Sequence, residues 1–370
     1  MSKRTTGNTD RAEVLLASAR PDRMDRDRTL PARFVRLLEK LGVAETCRGQ
    51  RVVIKMHFGG GLGYSTIPPL FVKLLVDQVR KGRPRSVRVV DQGTRGASDR
   101  GYTRETLGAP LGTTAGPHGR DVRLLDTGWR RLGKVAIGRP VLEADVLINL
   151  AHVKGHGDAG FGGACKNLAM GCVPGATRQK IHALEGRIRW LRSRCTHCKR
   201  CLRACPTRAN EFAKTGEYRI FWHHCRMCQH CVLACPTGAL RLVHADFAGF
   251  QEGLARVTRL VLNAFDPGKV LHINVLTNIT LFCDCWGMTT PALVPDIGIM
   301  AGRDIVAVDR AALDAIRVRD LIPGSLTPPY RLQKGRHLFE KLHGKDPYAQ
   351  VRAMERLGLG TSRYRLVPVP

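Results

Sequence analysis

The feature that most constrains this chain is a doubled cysteine run. CTHCKRCLRACP begins at Cys195, and CRMCQHCVLACP repeats its spacing thirty residues later, from Cys225. Each run reads C-x-x-C-x-x-C-x-x-x-C-P, a pattern that wraps cysteine thiolates around 4Fe–4S clusters. Zinc sites use paired C-x-x-C knuckles without a third cysteine followed by C-P. The sequence therefore predicts two cubane 4Fe–4S clusters and a segment folded around them.

The spacing also predicts which cysteines share a cluster. In two-cluster proteins with this run, the fourth cysteine of each run ligates the cluster of the other run. The predicted ligands of the first cluster are Cys195, Cys198, Cys201 and Cys235, and those of the second are Cys225, Cys228, Cys231 and Cys205. Because cubane clusters pass one electron at a time, this pattern favours electron transfer.

The rest of the sequence favours a reducing compartment. Residues 1–31 are rich in Arg and Asp and contain no apolar stretch of the kind that a secretory signal needs. No segment approaches the roughly 20 apolar residues of a membrane span. Thirteen cysteines in such a chain indicate metal ligation more than disulfides. We therefore expect a cytoplasmic protein without a membrane span.

The charge of the chain bears on its partners. The formal net charge is +29, but Lys and Arg are spread along the whole sequence with few aromatic residues between them, so nucleic acid is not the expected partner. Residues 187–245 contain twelve Lys and Arg against two Asp and Glu. This surplus should stabilise reduced clusters, raise their potentials and favour an acidic redox partner protein.

The flanking segments have a different pattern. Strand-like and helix-like stretches alternate on both sides of the cysteine runs, which is typical of a parallel sheet covered by helices. We predict an α/β fold, with a mostly parallel sheet and flanking helices, interrupted by a small α+β ferredoxin-like module with two 4Fe–4S clusters. The predicted domains are residues 1–185 (α/β, first part), 186–245 (ferredoxin-type) and 246–370 (α/β, second part).

Individual elements follow from hydrophobic periodicity. The predicted strands are residues 13–18, 51–56, 86–91, 145–150, 269–277 and 364–369. The predicted helices are residues 32–41, 70–79, 247–265 and 348–356, with a further helix beginning near Cys165. Residues 304–317 are predicted to form a strand followed by a helix.

A candidate pocket follows the apolar strand DVLINL. His152, Lys154 and His156 alternate directly after it and are expected to share one face, since open α/β sheets place ligands at the carboxyl ends of their strands. The predicted catalytic residues are His152, Lys154, His156 and Lys166. A Gly-rich turn and a second strand end supply predicted binding residues for an anionic small molecule or cofactor: Gly160, Gly162, Gly163, Lys55 and His57.

Two cysteines outside the runs stand in a C-x-C spacing. Cys283 and Cys285 flank Asp284, and the three residues could form a third metal site, a redox pair, or thiols packed beside a cluster. His182 joins the two cysteines as a possible further metal site. Cys47 and Cys172 are predicted to be buried thiols. Asp309 and Asp314 lie in a predicted helix, where a capping or surface role is expected.

Several of these segments together resemble one family. IKMHFGG, DVLINLAHVKGHGDAGFGGACKNLAMGC, the doubled cysteine run, CDC and PDIGI…DIVAVDRAALD resemble, in order, the iron–sulfur proteins of the domain of unknown function 362 family. The resemblance covers residues 51–317. It implies cluster binding and redox work, with no assigned reaction.

The pocket segment also resembles the corresponding stretch of lactate racemase-type proteins, which hold a nickel pincer cofactor. That resemblance implies a catalytic-base histidine at His156, a cofactor-anchoring lysine at Lys166 and a metal-binding histidine at His182. The cysteine module is inserted relative to that family.

Three functions fit these observations. The first is an iron–sulfur oxidoreductase that passes electrons through two clusters to the pocket of the α/β domain. The second is a ferredoxin-like electron carrier for a separate enzyme. The third is an isomerase or lyase with a metal cofactor in the pocket of His156, Lys166 and His182.

Overall fold

A computed structural model gives the fold. It describes residues 11–61, 63–205, 208–221, 225, 230–243, 246–287, 289–326 and 330–370. The predicted cluster ligand Cys228 lies outside these residues.

In the described part of the chain, sixteen strands form one large sheet and four two-stranded ones. In chain order they are β1 (Ala12–Ser18), β2 (Arg51–Lys55), β3 (Ser86–Asp91), β4 (Leu111–Thr113), β5 (Val122–Asp126), β6 (Lys134–Gly138), β7 (Val146–His152), β8 (Lys154–His156), β9 (Gly160–Gly162), β10 (Arg187–Trp190), β11 (Asn210–Phe212), β12 (Tyr218–Ile220), β13 (Leu240–Val243), β14 (Val270–Leu276), β15 (Gly298–Gly302) and β16 (Tyr364–Pro368).

The large sheet has the strand order β16-β1-β15-β14-β7-β2-β3-β4. Every pairing is parallel except the two made by β15, which runs against both β1 and β14. Consequently β2, β3 and β7 all end at the same edge, where Lys55, Asp91 and His152 are their last residues. The predicted α/β fold with a mostly parallel sheet is confirmed.

Thirteen α-helices accompany these strands among the residues that the structure describes. They are α1 (Leu30–Lys40), α2 (Val43–Cys47), α3 (Pro69–Lys81), α4 (Arg104–Leu107), α5 (Arg139–Leu142), α6 (Ala164–Gly171), α7 (Gly175–Ala183), α8 (Arg200–Ala204), α9 (His230–Leu233), α10 (Phe247–Leu262), α11 (Ile305–Ala315), α12 (Leu338–His343) and α13 (Tyr348–Arg356).

Helices cover both faces of the large sheet, so its central strands are apolar on both sides. In β2, Val53 faces the core formed with α6, α10 and α11, whereas Val52 and Ile54 face the core formed with α1 and α3. The alternation follows from the two-residue period of a strand. It explains why RVVIK and DVLINL read as continuous apolar runs.

The predicted strand within residues 304–317 is wrong. The strand is β15, whose sequence GIMAG lies just before that segment, and Asp304 instead caps α11 by accepting hydrogen bonds from the N–H groups of Val306 and Ala307. Two glycines weaken the strand signal of β15, since glycine has no side chain to pack. The other predicted strands and helices of the α/β part are found, with ends shifted by up to three residues.

A separate small core lies between the two α/β segments. Strand β10 pairs antiparallel with β13, and β11 pairs with β12. Ile188, Tyr218 and Leu240 pack there with Cys201 and Cys231. Residues from both cysteine runs thus share one apolar core. The domain boundaries at 185 and 245 remain predictions.

Among the described residues, no helix is long and apolar enough to cross a membrane.

Candidate functional site

A cavity of about 90 Å³, partly open to solvent, lies at the carboxyl edge of the large sheet. Its walls come from the ends of β2, β3 and β7, the start of α6, and the loop that carries Cys283 and Cys285. Six of the predicted site residues outside the cysteine runs line the cavity with those two cysteines: Lys55, His57, His152, Gly162, Gly163 and Lys166. The cavity therefore lies at the carboxyl ends of the strands, where the sequence predicted it.

Asp91, the last residue of β3, organises one wall. Its carboxylate bonds Nζ of Lys55 at 3.0 Å and Nδ1 of His57 at 2.8 Å. Lys55 also donates to the carbonyl of Met56 and the side chain of Asn167, so its three protons are used within the wall. Nε2 of His57 is buried and has no hydrogen-bond partner among the described residues. His57 is the member of this group that can still bind a ligand.

Asp284 organises the opposite wall. Nζ of Lys154 lies 2.6 Å from one carboxylate oxygen, and Nδ1 of His152 lies 2.9 Å from the other. Lys154 also bonds the carbonyl and hydroxyl of Ser65, and Nε2 of His152 bonds the carbonyl of Thr277. All three side chains are about nine-tenths buried or more. The polar atoms of His152 and Lys154, which were predicted as catalytic, are therefore all hydrogen-bonded, and both side chains hold Asp284 in place.

The loop of Asp284 packs against the Gly-rich loop that follows β2. A Cβ atom at Gly61 would lie 2.8 Å from Cα of Gly287, and one at Gly287 would lie 2.6 Å from Cα of Gly61. Both glycines have positive φ, which other residues rarely adopt. The glycines of KMHFGGG thus allow two loops to meet, and their contact fixes the position of the C-x-C segment.

Cys283 and Cys285 face the cavity beside Lys166. A hydrogen bond from the Cys285 thiol, assisted by Lys166 and His57 and opposed by burial, holds the pKa of Cys283 well below its usual value. The same interaction raises the pKa of Cys285, whose side chain is exposed. Burial opposes the charge of Lys166, but the two cysteines raise its pKa nonetheless. The arrangement is a thiolate and a thiol next to an ammonium group.

His156 lies behind these thiols and does not line the cavity. The N–H groups of Asp158 and Ala159 both donate to its Nδ1, at 3.1 Å, so the proton of the neutral ring is on Nε2. Nε2 lies 3.7 Å from Sγ of Cys285. Burial, with Lys166 and other nearby cations, holds the pKa of His156 well below its usual value. His156 is thus placed to donate towards sulfur.

The amino-terminal end of α6 is capped by a side chain from another helix. Asp309, buried in α11, accepts hydrogen bonds from the N–H groups of Ala164 and Cys165 at 2.7 and 3.0 Å. Those two donors are therefore not available to the anion that the Gly-rich turn was predicted to bind. Asp309 holds α6, which carries Lys166, against α11. Its capping role is confirmed, but it caps a different helix from its own.

His182 belongs to a different cluster from the C-x-C segment. His182 lies with Asp158 and Glu185, and the ligand atoms of these three residues are all within 4.8 Å of one another. Among the described residues, no other group of three or more His, Cys, Asp or Glu is this close together. Burial and Lys166 lower the pKa of His182 to about 4. Lys345 forms an ion pair with Glu185 in this cluster. The structure does not bring His182 together with Cys283 and Cys285 as one ligand set.

Acid should unfold the protein through Asp91 and Asp284. Burial alone would raise the pKa of each carboxyl group. Lys55 and His57 nevertheless hold the pKa of Asp91 well below its usual value. His152 and Lys154 do the same for the pKa of Asp284. A carboxyl group whose pKa is lowered by folding contributes its full stabilisation at pH values above its pKa in the unfolded chain, about 3.9. This contribution to the free energy of unfolding is lost as the pH falls below that value. Urea titrations should therefore give a free energy of unfolding that falls steeply below about pH 4. The fall should be shallower in Asp91→Asn, and an equal slope in both proteins would contradict the assignment.

The cysteine runs line a second, smaller cavity, of about 20 Å³ and partly open to solvent. Its thiols are Cys195, Cys198 and Cys201 from the first run and Cys235 from the second. Although burial opposes it, hydrogen bonds from the backbone of residues 237–240 and from the Thr237 side chain lower the pKa of Cys235. Of the other predicted set, Cys231 is buried in the small core, Cys225 packs against that core, and Cys205 accepts the N–H of Ala209 at 3.2 Å.

Comparisons place the chain among known sequences. The profile of the family described as "Domain of unknown function (DUF362)" matches residues 52–314, well over half of the chain. The chain belongs to this family. No curated protein matches the DUF362 chain.

Two solved structures resemble the DUF362 chain remotely. One is the lactate racemase apoprotein from Thermoanaerobacterium thermosaccharolyticum, at 12% identity and a TM-score of 0.33, covering 72% of this chain and 51% of that one. The other is a protein from Thermotoga maritima, at 11% identity and a TM-score of 0.37, covering 68% of this chain and 52% of that one. The DUF362 chain spans about half the length of both.

Sequence reasoning missed several residues of the DUF362 pocket. Asp91 ends a predicted strand, so the strand-end argument that found Lys55 could have found it. Asn167 and Arg178 also line the cavity, and no motif marks either. Cys47 and Cys172 are buried as predicted, and burial raises the pKa of each to about 12.

Proposed function

We propose that this protein is an iron–sulfur oxidoreductase that binds two 4Fe–4S clusters in the small domain and an anionic substrate in the cavity of the α/β domain. The observation that carries the proposal is the second cavity. Three cysteines of one run and the fourth cysteine of the other line the same space, which is the set that the crossed ligation pattern requires.

The surroundings of these thiols fit a cluster. Four cysteine thiolates are the ligand set of a cubane, and N–H donors around the sulfurs stabilise its charge. Backbone groups near Leu240 hydrogen-bond Cys235, and the N–H of Ala209 donates to Cys205. When bound, the clusters supply one-electron transfer. Cys205, Cys225 and Cys231 would hold the second cluster together with Cys228, which lies outside the described residues.

The charge of the small domain supports an acidic redox partner. Its twelve basic residues against two acidic ones are a surplus of ten positive charges over residues 187–245. Such a surface attracts a negatively charged protein and stabilises the added electron of a reduced cluster.

Aromatic contacts connect the small domain with the first cavity. The ring of His230, next to Cys231, lies 6.3 Å from the ring of Tyr330. Tyr330 in turn lies 5.2 Å from Phe282, the residue before Cys283. This continuity favours an oxidoreductase over a carrier whose α/β domain is only a docking scaffold.

The first cavity offers cations to a substrate. Lys166 and Arg178 line it, and neither forms an ion pair or hydrogen bond with another described residue. Both are half-buried. Two such groups on facing helices, α6 and α7, suit a ligand with a negative charge, since charge-assisted hydrogen bonds contribute about 1.5–3 kcal/mol each.

Replacing Lys166 should separate binding from cluster chemistry. Lys166→Ala is expected to weaken the binding of inorganic phosphate at low salt by at least about tenfold, because a charge-assisted contact is lost. Isothermal titration calorimetry measures the affinity. Reductive bleaching of the visible absorption should be unchanged in this variant.

Lys180→Ala is the matched control, because Lys180 lies exposed on α7 and outside the cavity. Equal phosphate affinities for wild type and Lys166→Ala would contradict the proposal that Lys166 binds an anionic substrate. A colourless wild-type protein with no iron after anaerobic purification would remove the electron-transfer role.

A further inference from the structure

The C-x-C segment has a role that the cluster proposal does not require. Cys283 and Cys285 both line the first cavity, and the interaction between their thiols lowers the pKa of Cys283. Residues two apart in sequence keep their Cα atoms within about 7 Å, close to the roughly 4.4–6.8 Å that a disulfide spans. The two sulfurs are therefore within reach of a bond.

A metal site explains this pair less well. No third His, Cys, Asp or Glu of the described chain has a ligand atom within 4.8 Å of both sulfurs. His156 approaches only Cys285, at 3.7 Å, and its Nδ1 is occupied by two backbone N–H groups. A structural metal ion needs four ligands, and two thiols do not supply them.

The surroundings suit a reactive thiolate. Lys166 and His57 lie beside Cys283 and lower its pKa, whereas Cys285 retains its proton. Thiolates next to Lys or protonated His are the reactive form of cysteine. Asp284, clamped by Lys154 and His152, holds the residue between the two cysteines in place. Because Cys283 lines the cavity together with the cation Lys166 and with His57, we assign Cys283 as the nucleophile and Cys285 as the resolving thiol.

We infer that Cys283 and Cys285 are a redox-active dithiol that reduces an anionic organic disulfide bound at Lys166 and Arg178. This inference rests on the proposed function for its source of electrons, and it names the substrate class of the first cavity. Lys166 and Arg178 select the negative charge, and the thiolate attacks the sulfur.

The exchange balances in two steps. The Cys283 thiolate attacks one sulfur of the substrate RS–SR, forms a mixed disulfide and releases RS⁻. Cys285 then attacks Sγ of Cys283, which closes the Cys283–Cys285 disulfide, and the proton of Cys285 passes to the departing group, which leaves as RSH. Return to the resting pair of Cys283 thiolate and Cys285 thiol takes two electrons, from the iron–sulfur domain, and one proton. Phe282 and Tyr330 connect the pair to that domain.

Trypsin isolates the pair for measurement. Cleavage after Lys269 and Arg303 gives one peptide, residues 270–303, whose only cysteines are these two. The anaerobic full-length protein is treated with glutathione disulfide, which is anionic, then alkylated and digested. Mass spectrometry should find the peptide lighter by two hydrogen atoms and without alkyl groups.

Variants distinguish the two thiols. Cys285→Ser should trap one glutathione on Cys283, because the resolving thiol is absent. Cys283→Ser should acquire glutathione at least about tenfold more slowly than Cys285→Ser, because the proposed nucleophile is absent. The cationic disulfide cystamine should react at least about tenfold more slowly than glutathione disulfide with wild type. Cys283→Ala and Cys285→Ala provide second variants if a serine variant fails to fold.

The outcomes separate this inference from the proposed function. If both cysteines remain alkylated after oxidation, or hold zinc that is lost in both variants, the dithiol assignment is overturned. Iron and sulfide counted on the same sample test the clusters independently. If the disulfide forms in a protein that contains no iron, the result supports the dithiol assignment and contradicts the proposal that the clusters supply its electrons.

Discussion

Cys235→Ser should abolish one cluster and leave the other in place. Cys235 lines the cavity of Cys195, Cys198 and Cys201, although it belongs to the other run. Removing it leaves three thiolates where a cubane takes four. Iron in anaerobically purified protein is expected to fall from about eight to about four atoms per chain. Uncrossed ligation would place Cys235 with Cys225 and Cys231 and predicts the same loss of one cluster, so a second substitution is needed to test the crossed pairing.

Cys283→Ser is the matched control for iron. Cys283 lies in the α/β cavity, outside the cavity that Cys235 lines, so its loss should leave the iron content unchanged. The double variant Cys235→Ser and Cys225→Ser should lose both clusters. Retention of about four irons in the double variant would mean that both cysteines serve one cluster, which contradicts the crossed assignment.

Asp284→Asn should cause the largest loss of stability of any single change in the α/β cavity. The carboxylate is bonded to two buried groups, the Lys154 ammonium at 2.6 Å and Nδ1 of His152 at 2.9 Å. Removing one partner of a buried ion pair costs about 3–5 kcal/mol, because the remaining charge is left uncompensated. Urea titration at pH 7 measures the free energy of unfolding.

Asp145→Asn is the control for this stability prediction. Asp145 also pairs with a cation, Arg51 at 2.7 Å, but both side chains are partly or largely exposed to solvent. Exposed pairs contribute about 0–1 kcal/mol. Equal losses in the two variants would show that burial of the Asp284 cluster does not govern its contribution.

The sequence predicted the position of the cavity because one rule applied to it. Parallel strands end at a common edge, and Lys55, His57 and His152 follow apolar runs that read as buried strands. The alternation of His152, Lys154 and His156 also predicted a shared direction. All three contact the loop of Asp284 and Cys285.

The partners of these residues could not be predicted, because they are distant in sequence. Asp284 is 132 residues from His152, and Asp309 is 145 residues from the helix end that it caps. No local pattern records such a pairing. Lys154 illustrates the consequence, since a lysine after a strand end suggests a substrate contact, yet its three protons bond Asp284 and Ser65.

We therefore propose different chemistry for the two cysteine groups. Those of the runs converge from two segments on one space and fit cluster ligation. Cys283 and Cys285 lie in a cavity with cations and no third convergent ligand among the described residues, which fits thiol chemistry.

The measurement that tests the central proposal most directly is the iron and acid-labile sulfide content of the full chain after anaerobic purification, with zinc and nickel quantified on the same sample. Two cubane clusters require about eight irons and about eight sulfides per chain. About four irons, with zinc making up the difference, would contradict the two-cluster proposal.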